Sequence, residues 1–176
     1  MPSRPAAGGP PAAGGPAGRL ATPRYSITEW RLLTRLPGRI VIAAVNTGSD
    51  GRRTVAVGLA GLEGIAAGRA FDSDLVRAVA SAIYAEPDRE SQPGCAAVDP
   101  EFGSIRVLGS CRAAVRLLAG RADPADSAAY RQWVQSIAAR VCRASLPGGL
   151  RGSTTERVSA ADRRFLDDLG LALGLA

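Results

Sequence analysis

The sequence predicts an all-α protein, a single compact bundle of six or seven helices behind a disordered N-terminal tail. Apolar residues recur every three or four positions along most of the chain, and Ser, Asp and Pro stand where helices begin. No segment alternates clearly as a half-buried strand does. Helices of this kind bury their apolar stripes only against one another, so we expect one helical domain over residues 23–176.

The first 22 residues are a low-complexity segment in which the unit PAAGGP is nearly doubled. Such a segment carries too little apolar bulk to offset the entropy lost on ordering, so we expect a disordered tail over residues 1–22. It contains no continuous apolar stretch of the kind that a signal peptide has.

The first helix is predicted to begin at Ser26, which forms a capping box with Glu29. Pro37 should interrupt it and sit in the first turn of a second helix that ends near Asn46. The segment IVIAAV within this second piece also fits a short buried strand, and periodicity alone does not separate the two. Its helical neighbours favour a helix.

The next predicted helix runs from Arg53 to about Ala67. Its larger apolar residues share one face, which we expect to point inward: Val55, Leu59, Leu62 and Ala66. Glycines recur on one side and should let a neighbouring backbone approach closely: Gly58, Gly61 and Gly64.

Four further helices are predicted along the rest of the chain. Asp72 or Ser73 caps a helix that stops before Pro87, and residues 86–103 form a long surface loop. Ser104 opens a helix with these residues inward: Ile105, Leu108, Val115 and Leu118.

Two C-terminal helices complete the bundle. Asp123 caps a helix that carries Pro124 in its first turn and has an unbroken apolar stripe: Tyr130, Trp133, Val134, Ile137, Ala138 and Val141. Ser159 with Asp162 caps the last helix, whose inward residues should be Val158, Ala161, Phe165, Leu169, Ala172 and Leu173.

The composition argues against catalysis. All 22 cations are arginine, and the chain has no His and no Lys, so it lacks an imidazole base and an amine for a Schiff base. Cys95, Cys111 and Cys142 form no metal-ligand spacing, and sparse cysteines are typical of reduced thiols in the cytoplasm. We therefore expect no catalytic residue, no metal and no cofactor.

The glycine-rich loop before the last helix is the candidate anion-binding site. Its residues Gly148, Gly149, Arg151, Gly152 and Ser153 combine converging backbone N–H groups with a planar guanidinium. A flexible connector between helices would have the same composition.

Acidic pairs and arginines offer two other binding chemistries. Asp72 with Asp74, Asp99 with Glu101 and Asp167 with Asp168 supply hard oxygen ligands, but no pair provides the six or more oxygens that Ca²⁺ takes. The formal charge of +6 and a loose C-terminal group of arginines suit nucleic acid. The aromatics near these arginines, Tyr130 and Trp133, lie on the apolar stripe assigned to the core, which leaves no exposed ring for a base to stack on. The absence of Lys is typical of a high-GC genome, so the positive charge also has a purely compositional explanation.

The last quarter of the chain resembles uncharacterised bacterial helical proteins that are broadly similar to TerB-like tellurite-resistance domains. The matching residues are Val158, Ser159, Asp162, Phe165, Leu166, Leu169 and Leu173. The resemblance implies an all-helical fold and a stress-response domain that binds metal through acidic residues. The Ala-Asp-Gly turns of those domains are absent here, so no metal ligand is carried over.

The sequence as a whole favours a non-enzymatic helical domain that binds another macromolecule, with protein as the expected partner. The alternatives are a TerB-like domain that binds a metal or anion and an arginine-driven nucleic-acid binder. No run of 18 apolar residues indicates a membrane span. The sequence leaves the oligomeric state open.

Overall fold

The computed structural model describes residues 25–47, 55–85, 100–144 and 159–175. Across these ranges the chain forms six α-helices and no strand. The helices are α1 (Ile27–Thr47), α2 (Val55–Ala67), α3 (Asp74–Ala85), α4 (Pro100–Arg121), α5 (Pro124–Ala144) and α6 (Ala160–Leu173), and a 3₁₀ turn (Gly68–Ala70) follows α2. The predicted all-α bundle is confirmed, whereas the predicted tail at 1–22 lies outside the described residues.

Two helices form the centre of the bundle. α1 and α5 each pack against all the other described helices, and the two largest fully buried side chains, Trp133 and Tyr130, lie on α5. The predicted stripe of α5 is fully buried, with Trp133, Tyr130 and Ile137 at its middle. Trp30 of α1 packs only partly against this core.

α1 is one continuous helix through Pro37, so the predicted interruption is wrong and the strand alternative at 40–45 is excluded. Proline lacks the N–H that would bond to the carbonyl four residues back, which here is Leu33 O. The buried hydroxyl of Tyr130 donates to that carbonyl at 2.9 Å. A side chain from α5 thus replaces the missing helical donor, and the helix passes through the proline.

The predicted capping residues are confirmed where the structure describes them. Ser26 and Glu29 form the capping box, in which the Ser26 N–H donates to Glu29 Oε2 at 2.7 Å and Glu29 N–H donates to Ser26 Oγ at 3.2 Å. Hydrogen bonds from the backbone and the side chain of Ser26 to the Glu29 carboxylate lower the pKa of Glu29. Asp123 accepts from Ala125 N–H at 2.8 Å, and Ser73 rather than Asp72 accepts from Val76 N–H.

α4 departs from its prediction at its start and in its rotation. It begins at Pro100 rather than Ser104, since proline is well suited to the first turn of a helix. Ile105 is exposed, not inward, and the buried side chains are Val107, Cys111, Ala114 and Leu118. The helix is therefore rotated about its axis relative to the predicted orientation. The small side chains of Cys111 and Ala114 face the neighbouring helices instead of Ile105.

α6 ends in a glycine with a left-handed backbone. Gly174 has φ 64°, and its N–H donates to Leu171 O at 3.1 Å while Leu175 N–H donates to Gly170 O at 3.0 Å. This is the usual arrangement of a C-terminal cap. The Arg131 guanidinium of α5 also donates to Gly174 O at 3.2 Å, which fixes the end of α6 against α5.

Candidate functional site

The glycine side of α2 faces the core. A β-carbon added at Gly64 would lie 3.3 Å from the Ile137 Cα, and one added at Gly68 would lie 2.7 Å from the Trp133 ring. The Trp133 indole N–H donates to Gly64 O at 3.1 Å. The prediction that glycines allow a close approach is confirmed at Gly64, whereas at Gly58 nothing lies within 4 Å.

The larger side chains of α2 face outward as a result. Val55 is 89% exposed, Leu59 52% and Leu62 56%, so the predicted inward orientation of these residues is wrong. The helix is apolar on every side, and periodicity therefore gave no basis for choosing which face is buried. Only the side that carries the glycines leaves room for the Trp133 indole.

We call Val55, Leu59, Leu62 and Ala66 the α2 outer face. They share one side of the helix, opposite the residues that face the core: Val57, Ala60, Gly61, Gly64 and Ile65. On the core side, a β-carbon added at Gly61 would lie 2.6 Å from Val41 Cγ1, so α2 packs closely against α1 there.

The C-terminal edge of this face is formed by a tyrosine and an arginine. The Tyr84 hydroxyl of α3 donates to Leu62 O at 3.2 Å. The Arg69 guanidinium lies 4.2 Å from the centroid of the Tyr84 ring, which is cation–π distance. The apolar face therefore has a defined polar edge.

The α2 outer face carries almost no charge. Glu63 is the only charged residue among the 13 of α2. Monomeric soluble proteins rarely expose large contiguous apolar patches, and such patches mark places where a partner binds. Sequence reasoning missed this surface, and the available signal was a helix with a single charge over more than three turns.

The candidate anion-binding residues Gly148, Gly149, Arg151, Gly152 and Ser153 all lie outside the described residues, as does Cys95. The anion site therefore stays a prediction.

A shallow pocket of about 250 Å³ lies where α1, α4 and α6 meet. It is lined by Thr47, Ser104, Leu108, Ala161, Arg164, Phe165 and Asp168. Sites for small molecules usually measure about 300–1,000 Å³ and are strongly concave. This pocket is smaller than that range.

A buried polar cluster lies beside the pocket. Asp162 is 3% exposed, accepts from Ser159 Oγ at 2.8 Å and contacts Thr47 Oγ1 at 2.8 Å. Ser159 Oγ in turn accepts from Asp162 N–H at 3.0 Å, so the predicted cap is confirmed. Ala161, which we expected to point inward, is exposed, and Asp162 occupies the buried position. The cluster joins the start of α6 to the end of α1.

The two described thiols are structural. Cys111 and Cys142 are fully buried, and burial raises the pKa of each to about 12. The charge of Asp162 contributes to the raised pKa of Cys142, after burial. A thiol with such a pKa is protonated at neutral pH and is a poor nucleophile.

The acidic pairs are dispersed. Asp74 forms an ion pair with Arg77 on the surface of α3, and Asp72, Asp167 and Asp168 are exposed. Within the four described ranges, no group of three or more His, Cys, Asp or Glu residues could hold a metal ion.

The aromatic residues near the C-terminal arginines are inaccessible. Tyr130 and Trp133 are 0% exposed, so neither offers a stacking platform for a base. Arg131 caps α6, and Arg151 and Arg157 fall outside the described residues.

None of the helices in the described part of the chain is long and apolar enough to cross a membrane. Comparison with protein-family models, with curated proteins and with solved structures found no match. The described residues that resemble TerB-like domains serve as the cap and apolar contacts of α6: Ser159, Asp162, Phe165, Leu166, Leu169 and Leu173.

Proposed function

We propose that this chain is a non-enzymatic helical domain that binds another protein through the α2 outer face. The observation that carries the proposal is the orientation of α2, which turns Val55, Leu59 and Leu62 toward solvent. Burying aliphatic side chains is favourable by about 25 cal/mol per Å². A protein surface is the partner that can cover such a face along its length.

The spacing of the exposed residues supports a helical partner. Val55, Leu59, Leu62 and Ala66 are separated by four, three and four positions, which is the spacing of a coiled-coil seam. Side chains at this spacing fit between those of a second helix. The buried, protonated thiols of Cys111 and Cys142 fit a binding role better than a nucleophilic one.

Site-specific photo-cross-linking in the native cell tests the proposal. A photoreactive residue replaces Leu62, and a control replaces Arg112, which is exposed on α4 away from the α2 outer face. We expect protein adducts from position 62, few from position 112, and loss of the position-62 adducts when Leu59→Glu is added. Adducts from neither position, or equally from both, would contradict the proposed function.

A further inference from the structure

We propose that the outward side of α1 and α4 binds the surface of an anionic phospholipid membrane, lying on the bilayer without crossing it. This surface is distinct from the α2 outer face, so the inference does not rest on the proposed function. Three observations support it: the pairing of the two helices, the distribution of charge along the chain and the exposed isoleucines beside the arginines.

α1 and α4 lie side by side and run antiparallel. Glu29 in the first turn of α1 forms an ion pair with Arg121 at the end of α4, at 3.4 Å. At the other end, Thr47 of α1 and Ser104 of α4 line the same pocket. Both helices bury apolar side chains in one core cluster, so their opposite sides point to solvent together.

The exposed side chains of the two helices form two matched stripes. They recur every three or four residues, at 31, 35, 39 and 42 of α1 and at 105, 109, 112 and 116 of α4. Arg39 lies ten residues after Glu29, and Arg112 lies nine before Arg121, so the two arginines stand at the same level of the helix pair. We call the larger residues of both stripes the arginine face: Arg31, Arg35, Arg39, Ile42, Ile105, Arg112 and Arg116.

Acidic residues are scarce on these two helices. α1 and α4 contain seven arginines and two acids, Glu29 and Glu101, and both acids lie in the first turn, where negative charge suits the helix dipole. The other described residues, in 55–85, 122–144 and 159–175, contain seven arginines and eight acids. A compositional bias toward arginine would not remove acids from two adjacent helices. Among the described residues the positive charge is therefore concentrated on the side that carries the arginine face.

Two exposed isoleucines distinguish a lipid surface from other anionic partners. Ile42 is 61% exposed and Ile105 is 62% exposed, and each belongs to a stripe of arginines. On a bilayer, arginines contact the lipid phosphates while apolar side chains reach the boundary of the acyl chains. The phosphates of a nucleic acid would leave the isoleucines uncovered, and neither stripe contains an aromatic residue on which a base could stack. An anionic lipid surface therefore matches both the charges and the apolar side chains.

Co-sedimentation of the full-length chain with vesicles tests the inference. The wild type should bind phosphatidylcholine vesicles that contain about 30% phosphatidylserine, and it should bind pure phosphatidylcholine weakly, since the negative surface potential attracts arginine. Arg39→Gln with Arg112→Gln should weaken binding to the anionic vesicles by about 10–30-fold, because each arginine near such a surface contributes roughly fivefold.

The matched control removes the same charge from another side of the bundle. Arg140 and Arg143 are exposed on α5, which packs against the core-facing side of α1. Arg140→Gln with Arg143→Gln should change vesicle binding by less than about threefold, because salt screens charges that lie farther from the membrane than the Debye length. A wild type that does not prefer anionic vesicles, or equal losses in the two double variants, would overturn the inference.

A third variant separates a membrane from a nucleic acid. Ile42→Ser with Ile105→Ser keeps every charge and should weaken vesicle binding while the helical circular dichroism spectrum stays unchanged. Fluorescence anisotropy with a short DNA duplex at the same salt concentration provides the comparison, and we expect the wild type to bind the duplex more weakly than the anionic vesicles. Unchanged vesicle binding in the isoleucine variant, or tighter binding of the wild type to the duplex, would overturn the inference.

Discussion

At the residue scale, the contact between Tyr130 and Leu33 explains how α1 tolerates a proline. Pro37 cannot donate to Leu33 O, and the Tyr130 hydroxyl supplies that hydrogen bond at 2.9 Å. Both partners lie in the core, where a carbonyl without a donor costs about 1–3 kcal/mol. The Tyr130 hydroxyl is therefore needed to satisfy Leu33 O, because Pro37 has no N–H to donate to it.

A double-mutant cycle tests this dependence. Tyr130→Phe alone should lower the free energy of unfolding by about 1–3 kcal/mol, since Leu33 O loses its donor. In a Pro37→Ala background the N–H of residue 37 can donate to Leu33 O, so Tyr130→Phe should cost clearly less. Urea unfolding of the four proteins measures the coupling, and equal costs in both backgrounds would disprove the dependence.

The buried thiols predict a fall in stability at alkaline pH. The pKa of Cys111 and of Cys142 is about 12 in the folded chain, against 9.0 when exposed, and burial also raises the pKa of Tyr130. Unfolding therefore releases protons above pH 9.0, so the stabilising effect is complete below that pH and is lost as the pH rises toward 12.

Urea unfolding at several values of pH checks this expectation. The free energy of unfolding should decline above pH 9.0, the exposed thiol pKa, and Cys111→Ala with Cys142→Ala should decline less steeply. An unchanged slope in the double variant would show that the thiols are not the cause.

At the element scale, α2 illustrates how far the sequence determines a helix. The helix itself and its approximate bounds could be predicted from the spacing of Val55, Leu59 and Leu62. Its rotation could not, because apolar residues occupy every side and the deciding contact is with Trp133 of α5, far away in the chain. The candidate site was missed for the same reason, since it is the side of α2 that the core leaves uncovered.

The glycines of α2 and of the turn after it should respond differently to alanine. Gly68→Ala should lower the free energy of unfolding by about 1–3 kcal/mol, because its β-carbon would lie 2.7 Å from the rigid Trp133 ring. Gly58→Ala, with nothing within 4 Å, should raise it by about 0.5–1 kcal/mol through helix propensity. Thermal or urea unfolding distinguishes the two, and equal effects would contradict the packing of α2 on α5.

Helix caps and amphipathic stripes could be predicted from the sequence better than the rotation of each helix about its axis. Ser26, Asp123 and Ser159 act on neighbours within three residues, so their roles follow from the local sequence. The stripe of α5 is apolar on one side only, and its burial followed directly. The start of α4 and the exposure of Ile105 depended instead on how other helices pack against it.

At the scale of the whole molecule, the described helices enclose a filled centre, and among them α2 exposes an apolar side. α1 and α5 supply the centre, and α2 lies against both with its glycines inward. The proposed function depends on this orientation, since it requires Leu59 and Leu62 to be available to a partner. The account therefore depends most on the rotation of α2.

Two glutamate substitutions three residues apart test that rotation directly. Leu62 is 56% exposed and Ile65 is 4% exposed, so Leu62→Glu should keep the helical circular dichroism spectrum and a cooperative melt. Ile65→Glu should destabilise the fold severely, because it buries a carboxylate that has no partner. The opposite order, with Leu62→Glu unfolding the chain and Ile65→Glu tolerated, would contradict the account.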